Sequence, residues 1–373
     1  MKLLVVIGTR PEAIKMAPLI NRLGITNGIN CKVCNTGQHK DLLNPVLDFF
    51  KTRVDYSLDV MIPNQSLHQL TAAIISNIQS VFDDCLPDYV LVHGDTTTSF
   101  AVSLAAFYSG IKVAHVEAGL RTFNKSAPFP EEMNRSLTAR LADVHFAPTP
   151  LAAQNLAKEG ITQQVVVTGN TVIDALYDAI RLINEENDEI VRLKQTIDFS
   201  KKIILFTGHR RENFGAGFEQ IFEALKELTD NRDDVQIVYP VHPNPNVKLL
   251  AEKYFANSEK IKLIAPLSYG PFTWLMQQSH MIMTDSGGIQ EEAPSLGKPV
   301  LVLREVTERP EAVEAGTVLI VGTDKEKIKA LTLRLLDDTN FYLGFSRKIN
   351  PYGDGRASER IIIYLKELMH QSL

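Results

Sequence analysis

The sequence predicts two α/β domains, each built on a doubly wound parallel sheet with helices on both faces. Its 373 residues are enough for two domains of ordinary size. Short unbroken runs of Val, Ile and Leu, typical of strands buried on both faces, alternate with longer helical segments. These runs fall into two sets of six, whereas a single eightfold barrel needs eight equivalent units in one closed sheet.

The predicted elements follow one another in strand–helix order. In the first half the strands are 2–7, 31–36, 89–93, 112–117, 143–147 and 164–168. In the second half they are 202–207, 235–241, 261–265, 280–284, 298–304 and 317–321, and helices such as 98–109, 217–229, 287–296 and 324–337 separate the strands. Such alternation favours right-handed crossovers and parallel sheets. We expect an N-terminal domain at 1–170, a C-terminal domain at 171–355, and a helix in 356–373 that packs back on the first domain.

The composition argues against two classes of protein, those that bind nucleic acid and those that span a membrane. Lys and Arg number 39 against 44 Asp and Glu, a net charge of −5, so no basic surface for nucleic acid is expected. The apolar run 3–7 ends at Gly8, too short for a membrane span, and we expect a cytoplasmic protein with no membrane partner. The charged segment 184–189 is predicted to be a solvated element.

Cysteine and histidine spacing does not favour a metal or redox site. Cys31 and Cys34 have the C-x-x-C spacing, but they lie in a predicted strand, where side chains three apart point to opposite faces. The nine histidines include no pair with metal-ligand spacing. We therefore expect no metal and no cofactor.

Ionisable or glycine-rich residues follow nearly every predicted strand, where ligands bind in open parallel sheets. Any one of these segments could be only a turn or a helix cap, but a cleft between the domains, lined from both sides, accounts better for all of them. The segments are 8–15, 37–39, 94–97, 117–122, 208–212, 242–245, 285–288 and 304–310.

Two of these segments point to an anionic ligand. Ser286, Gly287 and Gly288 open a helix after a strand, where glycines admit an anion close to free backbone N–H groups. Neither a G-x-G-x-x-G nor a Walker pattern is present, which argues against nicotinamide and ATP. Arg10 and Lys15 bracket the first strand–helix turn, where cations oppose the helix dipole unless an anion binds there.

Carboxylates at other strand ends suggest acid–base chemistry. Asp95 and Glu117 directly follow buried strands, and Glu131 opens a helix after a proline-rich loop. Glu292 lies one turn into the glycine-led helix, where it could bind a ribose diol. Glu131 and Glu292 could equally serve only to complement helix dipoles.

With these residues assembled, the chain resembles the bacterial, non-hydrolysing UDP-N-acetylglucosamine 2-epimerases. Nine motifs occur in order along the chain: GTRPEAIKMAP (8–18), VHGDTTT (92–98), HVEAGLRT (115–122), PEEMNR (130–135), GHRREN (208–213), YPVHPNP (239–245), TDSGGIQEEAPSLGKP (284–299), TERPE (307–311) and NPYGDG (350–355). The resemblance implies two Rossmann-like domains of the glycosyltransferase-B type, with the active site in the cleft between them. It also implies a homodimer, as is usual in the family, and no nicotinamide or metal.

The resemblance further implies a reaction and a set of site residues. UDP-N-acetylglucosamine (UDP-GlcNAc) and UDP-N-acetylmannosamine (UDP-ManNAc) would interconvert by elimination of UDP to 2-acetamidoglucal and its readdition, supplying ManNAc for surface polysaccharide. Asp95, Glu117 and Glu131 would be the acid–base residues and His209 the leaving-group stabiliser. Uridine and ribose would be bound by Leu267, Phe272 and Glu292, and the diphosphate or nearby groups by Arg10, Lys15, His209, Ser286, Gly287, Gly288 and Arg309. A second, activating UDP-GlcNAc site would involve Gln38, Gln65, Arg210 and His242.

Other functions remain open on this reading. One is a 2-epimerase of a modified UDP-sugar, such as a 2,3-diacetamido uronic acid, which requires a cation near C6. Another is a glycosyltransferase of the same fold, which requires a surface for its acceptor. A hydrolysing 2-epimerase would release UDP and free ManNAc, and a UDP-sugar sensor would not need the carboxylates.

Overall fold

The computed structural model describes residues 1–38, 40–307 and 309–371 and divides the chain into two compact units. Unit 1 comprises Met1–Asp178 and Tyr352–Leu373, and unit 2 comprises Ala179–Pro351. His39 and Glu308, which belong to two of the sequence segments above, lie outside the described residues.

Unit 1 contains a seven-stranded parallel sheet. Its strands are β1 (Lys2–Ile7), β2 (Asn30–Asn35), β3 (Tyr56–Ser57), β4 (Tyr89–His93), β5 (Lys112–Val116), β6 (Val144–Ala147) and β7 (Val165–Val167), in the order β3-β2-β1-β4-β5-β6-β7. The order reverses direction at β1, which lies between β2 and β4. Such a reversal leaves a crevice beyond the carboxyl ends of the strands, the usual ligand site of doubly wound sheets.

Helices connect these strands. They are α1 (Arg10–Gly24), α2 (Lys40–Phe50), α3 (Leu67–Cys85), α4 (Thr97–Tyr108), α5 (Glu131–Leu141), α6 (Pro150–Lys158), α7 (Thr171–Leu182), which continues into unit 2, and α16 (Ala357–Gln371), which contacts α1. Local sequence explains where α1 begins. Thr9 accepts a hydrogen bond from the Glu12 N–H, and Glu12 returns a bond to the Thr9 N–H, which forms a capping box.

Unit 2 contains a six-stranded parallel sheet in the order β10-β9-β8-β11-β12-β13. Its strands are β8 (Lys202–Thr207), β9 (Val235–Pro240), β10 (Ile261–Ile264), β11 (Met281–Thr284), β12 (Val300–Val302) and β13 (Val318–Ile320). Its helices are α8 (Asp188–Thr196), α9 (Ala216–Asp230), α10 (Pro245–Phe255), α11 (Tyr269–Gln278), α12 (Gly287–Glu292), α13 (Pro310–Glu314), α14 (Lys325–Asp337) and α15 (Thr339–Ser346). The order again reverses, here between β8 and β11.

Each unit buries its own apolar core. In unit 1 the inward face of the sheet, including Val6 and Val92, packs with Ile74 and Val102 of α3 and α4. In unit 2 a group of buried aromatic rings packs on the sheet: Phe206, Phe218, Phe222, Tyr239 and Phe255. Such burial supplies the main favourable free energy of folding and holds the strand ends rigidly.

The predicted fold class, two parallel-sheet α/β units, is confirmed. All twelve predicted strands are present, within two residues at each end. The structure adds β3, a two-residue strand paired with Cys34 and Asn35. It also divides the predicted helix 287–296 into α12 and a 3-10 turn at Ala293–Leu296, where Pro294 lacks the N–H that an α-helix would use.

Candidate active site

Glu117 is a nearly buried carboxylate of unit 1 that other side chains hold in place. It follows β5 with φ +62°, a left-handed conformation that is costly for a residue with a side chain. Its Oε2 atom accepts hydrogen bonds from Lys15 Nζ at 2.5 Å and from Asn170 Nδ2 at 2.7 Å. His93 Nε2 lies 3.8 Å from the same oxygen, and the Glu117 side chain is only 8% exposed. A cation and an amide thus compensate the burial of this carboxylate.

Asp95, on the neighbouring strand end, has a different environment. Its carboxylate accepts a hydrogen bond from Arg135, and its backbone carbonyl accepts one from Asn134 Nδ2 at 3.0 Å. The Asp95 side chain is 26% exposed, whereas Arg135 is buried. The carboxylate is therefore held on one side by α5 and retains access to solvent.

Glu131 and Glu132 are adjacent but have different environments. Glu132 is buried and accepts hydrogen bonds from the backbone N–H groups of Thr122 and Phe123, at 3.0 and 2.9 Å, which fixes the loop after β5. Glu131 is the first residue of α5 and is partly exposed. Among the described residues it has no hydrogen-bond or ion-pair partner, so its carboxylate is accessible to a ligand.

Glu12 connects the carboxyl ends of β1 and β4. One carboxylate oxygen accepts from the N–H groups of Gly8 and Thr9, at 2.9 and 2.8 Å, and the other accepts from Thr96 Oγ1 at 2.6 Å. Burial raises the pKa of Glu12, and these hydrogen bonds oppose that increase. Gly8 must be glycine here, since a Cβ atom would lie 2.2 Å from Thr36 Oγ1.

The remaining predicted residues of unit 1 lie around these strand ends. Arg10 is the first residue of α1, half-buried, and makes no hydrogen bond or ion pair with any described residue. Gln38 accepts a hydrogen bond from Thr98 Oγ1 at 2.9 Å. Gln65 Nε2 donates to the carbonyl of Val60 at 3.0 Å, which ties it to its own loop.

In unit 2 a buried carboxylate organises the ends of β8 and β11. Asp285 Oδ2 accepts from the backbone N–H groups of His209 and Arg210, both at 2.8 Å, and Oδ1 lies 3.2 Å from His209 Nδ1. Burial lowers the pKa of His209, whereas the charge of Asp285 acts to raise it. The ring of His242 stacks on that of His209 with centroids 5.3 Å apart. Asp285 and His242 thus hold the imidazole ring of His209 in place, and the net effect of its surroundings is a lowered pKa.

The start of α12 lies beside this pair. Ser286 N–H donates to Thr284 Oγ1 at 2.9 Å, and the Ser286 side chain does not cap the helix. A Cβ atom at Gly287 would lie 3.9 Å from the Arg309 guanidinium, and one at Gly288 would have no heavy atom within 4 Å. Arg309 forms an ion pair with buried Glu291. Two glycines without side chains at a helix start, beside a guanidinium, are chemically suited to a diphosphate.

The predicted nucleoside-binding residues of unit 2 belong to two segments: Glu292 ends α12, and Leu267 and Phe272 lie at the start of α11 or just before it. Glu292 is buried, and its Oε1 atom accepts from Tyr269 Oη at 2.6 Å. Leu267 and Phe272 are partly buried and flank Ser268, whose N–H and Oγ donate to Glu189 at 3.0 and 2.7 Å. Residues 184–188 of the segment predicted to be solvated are exposed, whereas Glu189 is partly buried because its carboxylate binds this turn.

The two predicted activating-site residues of unit 2 are in different environments. The Nε atom of Arg210 is buried and has no hydrogen-bond partner among the residues that the structure describes. His242 is exposed, and its Nδ1 atom accepts a hydrogen bond from the Asn244 N–H at 3.2 Å. An unpaired buried guanidinium nitrogen is costly, and an anionic ligand would compensate that cost.

Sequence reasoning did not select three residues that the structure brings to these sites. They are Asp285, which holds His209, Arg135, which holds Asp95, and Asn170, which holds Glu117. Segment 285–288 was indicated by its position after a strand, but Asp285 itself was not assigned a role. Asn170 also follows a strand, so the same criterion could have found it. Arg135 lies inside α5. Its only sequence signal was its position four residues after Glu131, within the same motif.

Neither a metal site nor a reactive thiol is evident among the residues that the structure describes. Over 1–38, 40–307 and 309–371, no group of three or more His, Cys, Asp or Glu side chains is arranged to bind a metal ion. Burial raises the pKa of both Cys31 and Cys34 to about 12, which keeps these thiols protonated. Among the described helices, none has both the length and the apolar composition needed to cross a membrane.

Comparison with known proteins identifies the family. The family model described as UDP-N-acetylglucosamine 2-epimerase matches residues 21–366. UDP-N-acetylglucosamine 2-epimerases from Campylobacter jejuni and Escherichia coli (strain K12) are 51% and 52% identical to the chain, covering 100% and 98% of it and 99% and 98% of their own lengths. The crystal structure of UDP-GlcNAc 2-epimerase from Neisseria meningitidis bound to UDP-GlcNAc is 49% identical, with a TM-score of 0.89 over 98% of this chain and 100% of that one. The chain therefore belongs to the UDP-N-acetylglucosamine 2-epimerase family.

Proposed function

We propose that the protein interconverts UDP-GlcNAc and UDP-ManNAc by inverting C2 of the sugar, without net hydrolysis. The observation that carries this proposal is the Glu117 carboxylate, held at the end of β5 by Lys15 and Asn170. A buried, oriented carboxylate suits the removal of a weakly acidic proton. The names of the relatives, and the UDP-GlcNAc bound to the Neisseria meningitidis protein, support this substrate.

The proposed reaction is an elimination followed by readdition. A carboxylate removes the C2 proton, the C–H electrons form the C1–C2 double bond, and the C1–O bond breaks with its electrons on the diphosphate oxygen. The products are 2-acetamidoglucal and UDP. The diphosphate oxygen then attacks C1 while an acid donates a proton to the opposite face of C2. This route needs acids and bases on both faces of C2 and positive charge near the diphosphate.

Residues of unit 1 supply the proton transfers in this proposal. The acid–base candidates are Asp95, Glu117 and Glu131. Their environments differ, as expected if they act as acid and base on different faces of C2. Glu117 is buried and paired, Asp95 is partly exposed and bound to Arg135, and Glu131 is accessible. Neighbouring carboxylates in different environments are typical of acid–base pairs. Arg10 and Lys15 contribute positive charge at the same strand ends.

Residues of unit 2 bind the nucleotide in this proposal. Ser286, Gly287, Gly288 and Arg309 bind the diphosphate, and His209, oriented by Asp285, stabilises the charge that develops on the leaving oxygen. The Glu292 carboxylate, oriented by Tyr269, accepts hydrogen bonds from the ribose diol. Phe272 and the backbone of Leu267 bind the uracil.

The proposal also covers regulation and context. Gln38, Gln65, Arg210 and His242 bind a second, activating UDP-GlcNAc, and the buried unpaired Nε of Arg210 supports an anionic ligand there. Initial rates should then depend sigmoidally on UDP-GlcNAc, and Gln65→Ala should make that dependence hyperbolic. Hyperbolic rates in both proteins would exclude this site.

We also propose that the protein acts as a cytoplasmic homodimer that supplies ManNAc for surface polysaccharide.

Proton NMR in deuterated water tests the reaction. Purified protein incubated with UDP-GlcNAc should give UDP-ManNAc carrying deuterium at C2, with no accumulation of UDP. Glu117→Gln should abolish this exchange, whereas Glu186→Gln, a change at an exposed glutamate, should not. Free ManNAc with an equal amount of UDP would instead identify a hydrolysing enzyme. The absence of both exchange and product would overturn the proposal and favour a modified UDP-sugar or a glycosyl transfer.

A further inference from the structure

Asn170 forms hydrogen bonds with three separate parts of unit 1. Its backbone N–H donates to the carbonyl of Tyr352 at 2.7 Å. Its Oδ1 atom accepts from the Val172 N–H at 3.0 Å, which caps the first turn of α7. Its Nδ2 atom donates to Glu117 Oε2 at 2.7 Å. The side chain is 2% exposed, so all of its polar groups are engaged within the protein.

The orientation of the Asn170 amide follows from these partners. The Val172 N–H can only donate, so the amide oxygen must face it, and the NH2 group must face Glu117. A carboxylate in that position would place an acceptor against an acceptor. The residue type is therefore matched to Glu117 and not only to the helix cap, for which Asp serves as well as Asn.

The backbone around Asn170 is held as firmly as its side chain. Gly169 has φ +90°, and the Cα atom of Gly353 lies 3.6 Å from the position that a Gly169 Cβ would occupy. Asp174, in the first turn of α7, accepts from the N–H groups of Ala357 and Ser358 at 3.0 and 2.9 Å. The segment that returns to unit 1 after Pro351 therefore packs against the start of α7 and sets the position of Asn170.

We propose that Asn170 is a positioning residue for Glu117. Its amide and the Lys15 ammonium both donate to the same carboxylate oxygen, and two donors on one oxygen fix the direction of the carboxylate. This inference rests on the proposed function, because it assigns Asn170 to the proton transfer at C2. It predicts that Asn170 affects the rate and pH dependence of that transfer more than the stability of the fold.

Two variants separate this role from helix capping. Asn170→Asp keeps the cap oxygen but turns the donor into a negative charge beside Glu117, next to which Lys15 and His93 also lie. We expect kcat to fall about 10- to 100-fold, and the acid limb of the pH profile of kcat to move up by about one unit, because a like charge disfavours ionised Glu117. Asn170→Ser keeps a capping oxygen and only loses the amide donor, so kcat should fall about 10-fold with a smaller displacement of the limb.

A matched control and a stability measurement complete the test. Asn187 caps α8 through its Oδ1 atom, at 2.9 Å from the Glu189 N–H, and is exposed, so Asn187→Asp should retain wild-type kcat and pH profile. The apparent melting temperature of Asn170→Ser should remain within about 2 °C of the wild type, whereas that of Asn170→Asp should fall further, because it buries a second carboxylate beside Glu117. KM for UDP-GlcNAc should change less than kcat in both.

The results can contradict the proposal in two ways. A wild-type kcat and pH profile in Asn170→Asp would show that Asn170 does not position Glu117 during turnover. Losses of activity that parallel losses of melting temperature, with no change in the pH profile, would assign Asn170 to structure alone. Failure of the proposed function is distinguishable from both, because the wild-type protein itself would then show no deuterium exchange at C2.

Discussion

Lys15 Nζ lies 2.5 Å from Glu117 Oε2, although 102 positions of sequence separate the two residues. Lys15 extends from α1 and Glu117 follows β5, and both side chains are nearly buried, at 11% and 8% exposed. A residue that the sequence indicated as a phosphate contact is thus also the counter-ion of an acid–base candidate. The pair neutralises charge within unit 1 and orients the carboxylate.

Lys15→Met should damage both stability and activity. The substitution leaves the buried Glu117 carboxylate without its cation, so we expect the free energy of unfolding to fall by about 3 kcal/mol. C2–H exchange should fall by at least about 100-fold, because the carboxylate loses its orientation. Urea unfolding and deuterium incorporation measure the two effects. Lys226→Met, at an exposed lysine of α9, is the control, and equal effects of both variants would contradict a special role for the Lys15–Glu117 pair.

Asp285→Asn should weaken His209 as a stabiliser of the leaving group. The charge of Asp285 acts to raise the pKa of His209 against the effect of burial, so its removal should lower that pKa further. Fewer molecules then carry protonated His209 at pH 7, and we expect kcat to fall about 10-fold, with the alkaline limb of the pH profile moving to lower pH. Steady-state kinetics and NMR titration of the His209 ring provide the measurement. An unchanged profile would show that His209 acts as the neutral imidazole.

Gly288→Ala tests the diphosphate site without disturbing the unliganded fold. A Cβ atom at Gly288 meets no heavy atom within 4 Å, and alanine favours a helix over glycine by about 1 kcal/mol, so the variant should be at least as stable as the wild type. If UDP lies against this backbone, calorimetry should show its affinity reduced about 10-fold or more. Gly344→Ala, in α15 and equally open, is the matched control. Wild-type affinity in Gly288→Ala would place the diphosphate elsewhere.

His115 makes the folded state sensitive to acid. Burial lowers the pKa of His115 from 6.5 to about 3, although the hydrogen bond from its ring to the Gly94 carbonyl acts in the opposite direction. As pH falls below about 6.5, the unfolded chain therefore takes up a proton that the folded protein does not, and stability is lost. Between pH 7 and pH 5 this residue should cost about 2 kcal/mol of unfolding free energy.

His115→Gln tests this pH dependence. Glutamine can keep a donor to the Gly94 carbonyl, but it does not titrate. Urea unfolding of the two proteins at pH 7 and pH 5 should therefore show that the variant loses about 2 kcal/mol less than the wild type over this interval. Parallel losses in the two proteins would assign the acid sensitivity to other groups, such as His145, whose pKa burial lowers to about 4.

The two sheets were predictable because many of their strands, such as β1, β4 and β8, are nearly continuous apolar runs. Strand β3 was not, since Tyr56 and Ser57 are too few residues to form a pattern, and only the neighbouring strand shows that they pair. The glycine-led turn at Gly287 and the carboxylates Asp95 and Glu117 were found because each follows a strand directly. A position directly after a strand therefore predicts many of the candidate site residues.

The partners of those residues were not predictable in the same way. Sequence spacing cannot show that Lys15 reaches Glu117, because contacts between distant segments depend on packing. Asn170 also follows a strand, but it coincides with the predicted domain boundary, which concealed its contact with Glu117. The same limit applies to Glu189, whose charged neighbours suggested a solvated surface although its carboxylate binds Ser268.

Unit 1 is interrupted in sequence by the 173 residues of Ala179–Pro351, and this sets an order for its assembly on the ribosome. All seven strands of its sheet have been translated by Asp178, but Tyr352 and α16 follow roughly 10 to 35 s later at ordinary rates of synthesis. Until then the N–H of Asn170 lacks its carbonyl partner, and the surface that Ile361 and Leu365 of α16 cover is open to chaperones. The nascent chain thus acquires a fully supported Glu117 only after unit 2 has been made.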